Sequence, residues 1–233
     1  MFKIRCSAIG QIMTDPRSKA DKDAGNLSQT AKTYCETWLK EKIYMRFKEF
    51  QTKYTIKGVE VEGDAIDYIA KVQGMGMIVK NEERFENDFL QGTPDVVTAD
   101  TVIDNKSSWD CFTFPLFATE IPEKAYWWQL QGYMALTGKQ QAELIYTLMD
   151  APEWLIEQEV DKELRFNRVI PDDVNLDVIQ QMGNKYRYSS IDDSKRIKIF
   201  KIARDDNAIK AIEQRVMKCR EYIELLTNQL NQK

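Results

Sequence analysis

The sequence predicts an α/β (α+β) protein in which a central mixed β-sheet is flanked by helices. Segments rich in Val, Ile and Phe between residues 77 and 107 are broken by turn residues, a pattern typical of short strands. Residues 126–136 then predict a helix that ends at Gly138, and the apolar run 142–149 predicts another strand. The last 25 or so residues keep a helical spacing of apolar positions, which predicts a long C-terminal helix.

The composition excludes several classes of enzyme. The 233 residues include no histidine, so the chain cannot carry a Ser-His-Asp or Cys-His catalytic device, or an HExxH zinc protease site. Hydrolysis by this chain would depend on carboxylates, lysine, tyrosine or a hard metal ion. The formal net charge of −4 argues against binding of nucleic acid over the whole protein surface. It is compatible with a local basic groove.

The sequence predicts neither a membrane segment nor an export signal. No stretch reaches the roughly 18 uninterrupted apolar residues of a membrane span, and the charged start is not followed by a signal-peptide block. The four cysteines, at positions 6, 35, 111 and 219, are scattered without a CxxC pair. This usage predicts reduced thiols in a cytoplasmic protein.

The N-terminal part of the chain predicts a loop followed by two helices. Residues 14–30 are polar and rich in turn formers, so we expect a mobile loop. Ser28 is a candidate N-cap for a helix over residues 30–50, where apolar residues recur every fourth position. A second helix is predicted over residues 61–72 and ended by the turn at Gly74.

The C-terminal part predicts a strand over residues 196–202 and then the long helix. The apolar stripe of this helix could form a coiled-coil seam, or it could pack on the protein's own sheet. Packing on the sheet is the interpretation we favour. The stripe consists of Ile209, Ile212, Val216, Cys219, Ile223, Leu226 and Leu230.

Residues 92–106 carry the pattern that points to chemistry. They predict two short strands joined by the two-residue turn Ala99-Asp100, which pairs residue 97 with 102 and residue 96 with 103. Continued by one step, this register places Asp95 opposite Asp104 on one face, at about 5 Å. Lys106, two residues along the same strand, projects from that face too.

Two interpretations of this cluster remain open at this point. A divalent cation, Mg²⁺ or Mn²⁺, would hold Asp95 and Asp104 together, since two carboxylates this close otherwise force one to protonate. Glu62, four residues before the core position Ile66 on the predicted second helix, could supply a third carboxylate. Alternatively, the aspartates are turn residues, and Asp104 and Lys106 form an ordinary exposed ion pair.

A family resemblance favours the metal site. Pro94-Asp95, eight intervening residues and Asp104-x-Lys106 resemble the signature of PD-(D/E)XK nucleases. The run Gln129-Leu130-Gln131-Gly132-Tyr133 is similar to the QxxxY motif of the exonuclease branch. The helix start at residues 58–66, and the runs 4–7 and 27–31, resemble phage lambda-type (YqaJ-like) recombination exonucleases. The resemblance covers about residues 1–150, with the motifs in the family's order.

The resemblance implies roles for individual residues of the cleavage site. Asp95 and Asp104 would bind Mg²⁺ or Mn²⁺, with the backbone carbonyl of Asn105 as a further ligand. Glu62 would be the helix carboxylate, with Glu60 as the alternative. Lys106 would orient the attacking water and help to deprotonate it.

The resemblance also implies residues that contact DNA. Gln129 and Tyr133 would contact the DNA backbone or hold the water network. Arg5 and Ser7 occupy the positions at which the family handles a terminal 5′-phosphate. Trp109 could stack on an unpaired base, although tryptophans near a sheet more often serve as packing residues.

The resemblance as a whole implies a metal-dependent exonuclease that shortens linear duplex DNA, in the 5′ to 3′ direction, and leaves 3′ single-stranded tails. The expected setting is a phage or prophage in a bacterial host, with a single-strand annealing protein as partner. Family analogy suggests a ring-shaped homo-oligomer as the assembly. An endonuclease of the same fold, or a catalytically idle DNA-end-binding module, would be the alternatives. The spacing of the four cysteines argues against the iron–sulfur cluster of a related group.

The predicted domain organisation is a single nuclease domain over residues 1–233. A helical region would cover about residues 1–57 and the PD-(D/E)XK, restriction-endonuclease-like core about residues 58–150. Further strands and the long helix would cover about residues 151–233.

Overall fold

The computed structural model of the protein describes residues 1–48, 51–168 and 175–232. Within these ranges the strands form two mixed sheets, and helices flank both of them. The predicted combination of mixed sheet and flanking helices is confirmed, with the strands divided between two sheets. The strands are β1 (Ile4–Arg5), β2 (Phe85–Glu86), β3 (Leu90–Gly92), β4 (Val96–Val97), β5 (Thr101–Ser107), β6 (Gln141–Thr147) and β7 (Ile197–Ala203).

The larger sheet has the strand order β4-β5-β6-β7. β5 runs parallel to β6 and antiparallel to β4, and β7 runs antiparallel to β6. The pairs Val96–Ile103 and Val97–Val102 confirm the predicted hairpin register. β5 and β6 carry runs of fully buried residues, as expected for the central strands of a sheet covered on both faces.

The smaller sheet brings the start of the chain beside β3. Its order is β1-β3-β2, with β1 parallel and β2 antiparallel to β3. Ile4 of β1 and Leu90 of β3 are paired and fully buried. Residues 77–84 form no strand, so the predicted strand region begins later than expected.

The helices are α1 (Ile9–Ile12), α2 (Lys19–Asp23), α3 (Gln29–Tyr44), α4 (Lys53–Glu60), α5 (Glu62–Gln73), α6 (Lys124–Thr137), α7 (Glu153–Phe166), α8 (Leu176–Asn184) and α9 (Asp206–Asn231). α5 and α6 match the predicted helices, and left-handed glycines, Gly74 and Gly138, end them as expected. A search of the described helices finds none with the length and apolar character needed to cross a bilayer.

The predicted N-terminal helix has the right start and the wrong end. Ser28 caps α3 by accepting a hydrogen bond from the backbone N–H of Ala31. The helix stops at Tyr44, because Met45 adopts a left-handed conformation with φ 50°, and Phe47 lies beyond it, 74% exposed. Residues 49–50, at the end of the predicted helix, lie outside the described residues. The predicted loop contains the short helix α2.

The longer helices α4, α7 and α8 are absent from the sequence predictions, as are the short helices α1 and α2. α4 begins with a capping box in which Thr52 and Thr55 hydrogen bond each other's backbone N–H groups. Four residues of α7 at helical spacing are buried, so the pattern is present in the sequence but less conspicuous than that of α9. They are Leu155, Ile156, Val160 and Leu164.

The long C-terminal helix packs within its own chain. α9 contacts α1, α3 and α6, and its buried stripe joins the main core cluster that also contains Phe200 and Ile202 of β7. Packing within the chain therefore accounts for the stripe, as we favoured, although the neighbours of α9 are helices more than strands. Only the last predicted positions differ, since Leu230 is 54% exposed.

Candidate active site

The catalytic candidates Asp104 and Lys106 share one face of β5. Alternation along the strand puts their side chains on that face, while Asn105 and Ser107 point to the other one, where Asn105 Nδ2 donates to Ser107 Oγ. The Asp104 carboxylate is almost completely buried, and its Oδ2 lies 2.6 Å from Lys106 Nζ. This contact is an ion pair without a well-aligned hydrogen bond, so Oδ2 keeps unused acceptor capacity.

Asp95, just before β4, lies beside the same strand. Its Oδ2 accepts a hydrogen bond of 2.6 Å from the backbone N–H of Asn105. Burial and the neighbouring Asp104 carboxylate raise the pKa of Asp95 to about 7. The backbone N–H and C=O of one strand residue point to the same edge, so the Asn105 carbonyl is also directed toward the β4 side.

The ammonium of Lys106 is stabilised from two sides. Burial opposes its charge, but the carboxylates of Asp104 and Asp95 outweigh this cost and raise the pKa of Lys106. The Nζ atom also lies 4.9 Å from the centre of the Tyr126 ring, within the range of a cation–π interaction. Lys106 is therefore a fixed cation directly beside two carboxylates.

α6 supports the carboxylates from behind. Gln129 Nε2 donates to Asp104 Oδ1 at 2.9 Å and to the Tyr133 hydroxyl at 3.1 Å. The Tyr133 hydroxyl donates in turn to the backbone carbonyl of Thr93 at 3.2 Å. A Cβ at Gly92 would come within 2.8 Å of the Tyr133 ring, so glycine is needed for this close packing.

The burial of Gln129 and Tyr133 bears on their predicted roles. Each side chain is about 95% buried and hydrogen bonds toward Asp104 or Thr93. Such residues hold the carboxylate in place and present little surface to a DNA backbone. The geometry favours the positioning role over direct contact with DNA.

Glu62 begins α5 and lines the same cavity as Asp95 and Asp104. Its carboxylate forms an ion pair with Lys80. In the described ranges, no three acidic, cysteine or histidine side chains are close enough to make a complete metal-ligand group. Glu60, the alternative ligand, is exposed and does not line this cavity.

The cavity over β5 has a volume of about 600 Å³. Its floor offers two coupled carboxylates, one of them with an unused buried oxygen. Oxygen donors of this kind fit a hard divalent cation such as Mg²⁺ or Mn²⁺, which would relieve the repulsion that raises the Asp95 pKa. The residues present therefore fit such an ion.

The other DNA-binding candidates are divided between this cavity and a second one. Trp109 lines the cavity but is only 6% exposed. Its ring packs edge-on against Tyr54 and at a tilt against Tyr186, and Lys53 Nζ lies 4.6 Å from its ring centre. This burial favours the packing interpretation. Arg5 and Ser7 are exposed and line a second cavity, the N-terminal cleft, of about 1090 Å³.

Three residues near the site were missed from the sequence. Tyr126 follows from helical spacing, because it precedes Gln129 by three residues and Tyr133 by seven. Lys57 is fully buried in α4, and its Nζ donates at 2.9 Å to the carbonyls of Ser108 and Trp109, just after β5. Burial lowers the pKa of Lys57 to about 8. No sequence pattern signals the contact of Lys57 with these carbonyls or the ion pair of Lys80 with Glu62.

Comparison with solved structures gives clear matches. A phage-related exonuclease from Haemophilus somnus 129PT shares 32% identity and a TM-score of 0.80, over 98% of this chain and 96% of that chain. An alkaline exonuclease (LHK-Exo) from Laribacter hongkongensis shares 16% identity and a TM-score of 0.64, over 99% and 92%.

The Laribacter enzyme in complex with dAMP aligns with 18% identity and a TM-score of 0.62, over 99% of this chain and 94% of that chain. At these identities the Laribacter structures show a shared fold alone. No protein-family model and no curated protein sequence matches the chain.

Proposed function

Because the chain belongs to the phage lambda-type (YqaJ-like) recombination exonucleases of the PD-(D/E)XK superfamily, we propose that it hydrolyses linear duplex DNA with the help of Mg²⁺ or Mn²⁺. The observation that carries this proposal is the meeting of Asp95, Asp104 and Lys106 in one cavity. Two buried carboxylates and an ammonium are the groups that metal-assisted phosphodiester hydrolysis requires.

The metal would be held by Asp95, Asp104, the Asn105 carbonyl and Glu62, with Glu62 exchanging its ion pair with Lys80 for the metal. When bound, the ion supplies Lewis-acid stabilisation of the negative charge that develops on the phosphate and on the leaving 3′ oxygen. Gln129 holds the Asp104 carboxylate in a fixed orientation through its 2.9 Å hydrogen bond.

Lys106 orients the attacking water, and its ammonium keeps its own proton. The positive charge assists deprotonation by stabilising the hydroxide that forms, while the proton of the water passes to the solvent. The position of Lys106 supports this role, because the ammonium is held beside Asp104 and over Tyr126, yet its side chain remains 26% exposed to the cavity. A cation at this place also stabilises a pentavalent phosphorane electrostatically.

The N-terminal cleft binds the 5′-phosphate of the DNA end. Arg5 and Ser7 lie there with the basic residues Arg17, Lys32 and Lys48. Recognition of this end gives cleavage from 5′ to 3′ and leaves a 3′ single-stranded tail. A single-strand annealing protein is the partner that such a tail calls for, and a ring-shaped homo-oligomer would keep the enzyme on the duplex.

The decisive experiment measures release of mononucleotides from a 5′-phosphorylated linear duplex in Mg²⁺ and in EDTA. The wild-type protein should release them only with the metal, and Asp104→Asn should abolish release. Asp100→Asn is the matched control, because Asp100 is an exposed carboxylate in the turn of the same hairpin. Duplexes labelled at one end or the other report the polarity.

Each contrary result has a distinct meaning. Release from closed circular DNA would identify an endonuclease. Binding of DNA ends without any metal-dependent release would identify a catalytically idle module. Equal loss in Asp104→Asn and Asp100→Asn would remove the site assignment.

A further inference from the structure

A loop that borders the active-site cavity carries exposed aromatic side chains that catalysis does not use. Phe112 and Phe117 are 92% and 91% exposed on the loop of residues 108–123, which connects β5 to α6. Thr113 and Pro115 of the same loop line the cavity. Tyr54 of α4 also lines it and is 54% exposed. We call Tyr54, Phe112 and Phe117 the aromatic rim.

The loop is held in place although it has no regular secondary structure. Asp110 Oδ1 accepts hydrogen bonds from the backbone N–H groups of Phe112 and Thr113, at 3.1 and 2.8 Å. Cys111 N–H donates to the Tyr188 hydroxyl, and Phe114 is buried in the main core. The two phenylalanines are thus displayed from an anchored loop, which lowers the entropy cost of binding a partner.

The charges of the loop decide what kind of partner fits. Residues 108–123 include three acidic residues and no lysine or arginine. On α4, Lys53 is paired with Glu159 and Lys57 is buried. Lys198 of β7 lies beside the loop, with its Nζ 3.5 Å from the carbonyl of Leu116. The loop itself therefore offers a phosphate no cation of its own, whereas its exposed aromatic rings match the apolar faces of nucleobases.

We infer that the aromatic rim stacks on nucleobases of the DNA at the mouth of the cavity, beside the nucleotide being removed. The inference rests on the proposed nuclease function and deepens it. Aromatic stacking on unpaired bases is independent of sequence, and apolar side chains inserted at a base step can help to part the strands. The rim would hold the frayed end while the carboxylates engage its phosphate.

The first test measures how the double variant Phe112→Ala/Phe117→Ala hydrolyses two substrates, relative to the wild-type protein. One is a 5′-phosphorylated duplex, and the other is the p-nitrophenyl ester of thymidine 5′-monophosphate, which is too small to span the cavity and the rim. We expect kcat/KM on the duplex to fall about tenfold or more, with hydrolysis of the ester unchanged. Phe166→Ala is the matched control, because Phe166 is 87% exposed at the end of α7 and does not line the cavity.

The second test measures binding without hydrolysis. A duplex with 2-aminopurine next to its 5′ end is titrated with protein in Ca²⁺, and its fluorescence reports the stacking of the terminal bases. The wild-type protein and Phe166→Ala should change the fluorescence, and the double variant should change it much less and bind at least fivefold more weakly.

Several results would overturn the inference. Duplex cleavage and fluorescence within twofold of wild type would show that the rim does not contact bases. An equal loss on the ester would show a structural effect on the site. A lower molar mass of the double variant in light scattering would show that a second copy of the chain covers the rim. Absence of hydrolysis by the wild type would refute the proposed function, and the binding test would still decide the role of the rim.

Discussion

The active-site cavity and the N-terminal cleft differ in the charge of the residues that line them. In the described part of the chain, the active-site cavity is lined by Glu62, Asp95, Asp104 and Glu123, with Lys106 as its basic residue. The N-terminal cleft is lined by four basic residues and three acidic ones. These are Arg5, Arg17, Lys32, Lys48, Asp15, Asp21 and Glu41.

A phosphate can approach the N-terminal cleft directly, because its cations compensate the negative charge. The carboxylates of the active-site cavity would repel a phosphate unless a divalent cation neutralised them. Under the proposed function, this contrast suits the N-terminal cleft to binding a DNA end and the active-site cavity to cleaving it.

The largest expected effect concerns the cation of the active-site cavity. Lys106→Met removes the charge that stabilises the reacting phosphate and orients the water, so we expect kcat on duplex DNA to fall about a thousandfold. Lys201→Met is the control, because Lys201 also lies on a strand but its side chain is 80% exposed. Single-turnover cleavage in Mg²⁺ measures both variants, and a fall of less than tenfold for Lys106→Met would assign this chemistry to another group.

The next effect tests the support behind the carboxylate. Gln129→Leu removes the hydrogen bond to Asp104, which should reduce kcat about ten- to a hundredfold and weaken Mn²⁺ binding measured by calorimetry. Gln131→Leu is the matched control on the same helix. The Gln131 side chain hydrogen bonds the backbone of Ala203 and Asp205 and makes no hydrogen bond to Asp104. Loss of these bonds in Gln131→Leu should lower the free energy of unfolding by about 1–3 kcal/mol and leave the kcat of the folded protein unchanged. Loss of kcat in both variants alike would favour a purely structural role for Gln129.

A third prediction uses the raised pKa of Asp95. The folded protein holds a proton on Asp95 up to pH about 7, whereas an unfolded aspartate loses it near pH 4, so stability falls as pH rises between these values. In EDTA at pH 8, Asp95→Asn should therefore be more stable than wild type by about 2 kcal/mol, and the advantage should shrink toward pH 4. Urea unfolding at several pH values measures this. Asp100→Asn should show no such gain, and a less stable Asp95→Asn at pH 8 would contradict the raised pKa of Asp95, which burial and the Asp104 carboxylate cause.

The smallest effect concerns the N-terminal cleft. Arg5→Ala should reduce the preference for 5′-phosphorylated over 5′-hydroxyl duplex ends about tenfold, because one phosphate contact is lost. The ratio of kcat/KM values for the two ends measures this preference. Arg165→Ala, an exposed arginine on α7, should leave the ratio unchanged. An unchanged ratio in Arg5→Ala would separate the cleft from recognition of the 5′ end.

Local patterns in the sequence were enough to predict much of the fold. The register of the β4–β5 hairpin follows from the two-residue turn, and α5, α6 and α9 follow from periodicity and terminal glycines. The length of α3 did not follow, because the apolar spacing continues past Tyr44 while the backbone turns left-handed at Met45. A helix end that is set by the backbone conformation of one residue does not change the periodic pattern of apolar residues in the sequence.

The candidate site was predictable to the same degree. The motif spacing is enough to place Asp95, Asp104 and Lys106 on one sheet face, since side chains alternate along strands. The pairing of Glu62 with Lys80, and the support of Ser108 and Trp109 by the buried Lys57, link segments that carry no shared pattern. Trp109 illustrates the same limit, because a tryptophan side chain can either stack on a base or pack in a core. Only its contacts with Tyr54 and Tyr186 in the structure favour packing.

By itself, the sequence determined which side chains could do chemistry and which of them lie on the same face of one strand or helix. Those relations depend on local backbone geometry, which repeats every two residues in a strand and about every 3.6 in a helix. Only the tertiary structure decided that the carboxylates and the basic N-terminal residues line separate cavities, and that the loop bearing the exposed Phe112 and Phe117 borders one of them. The burial and charge of a cavity arise from segments distant in the chain, and these are set by packing of the whole core.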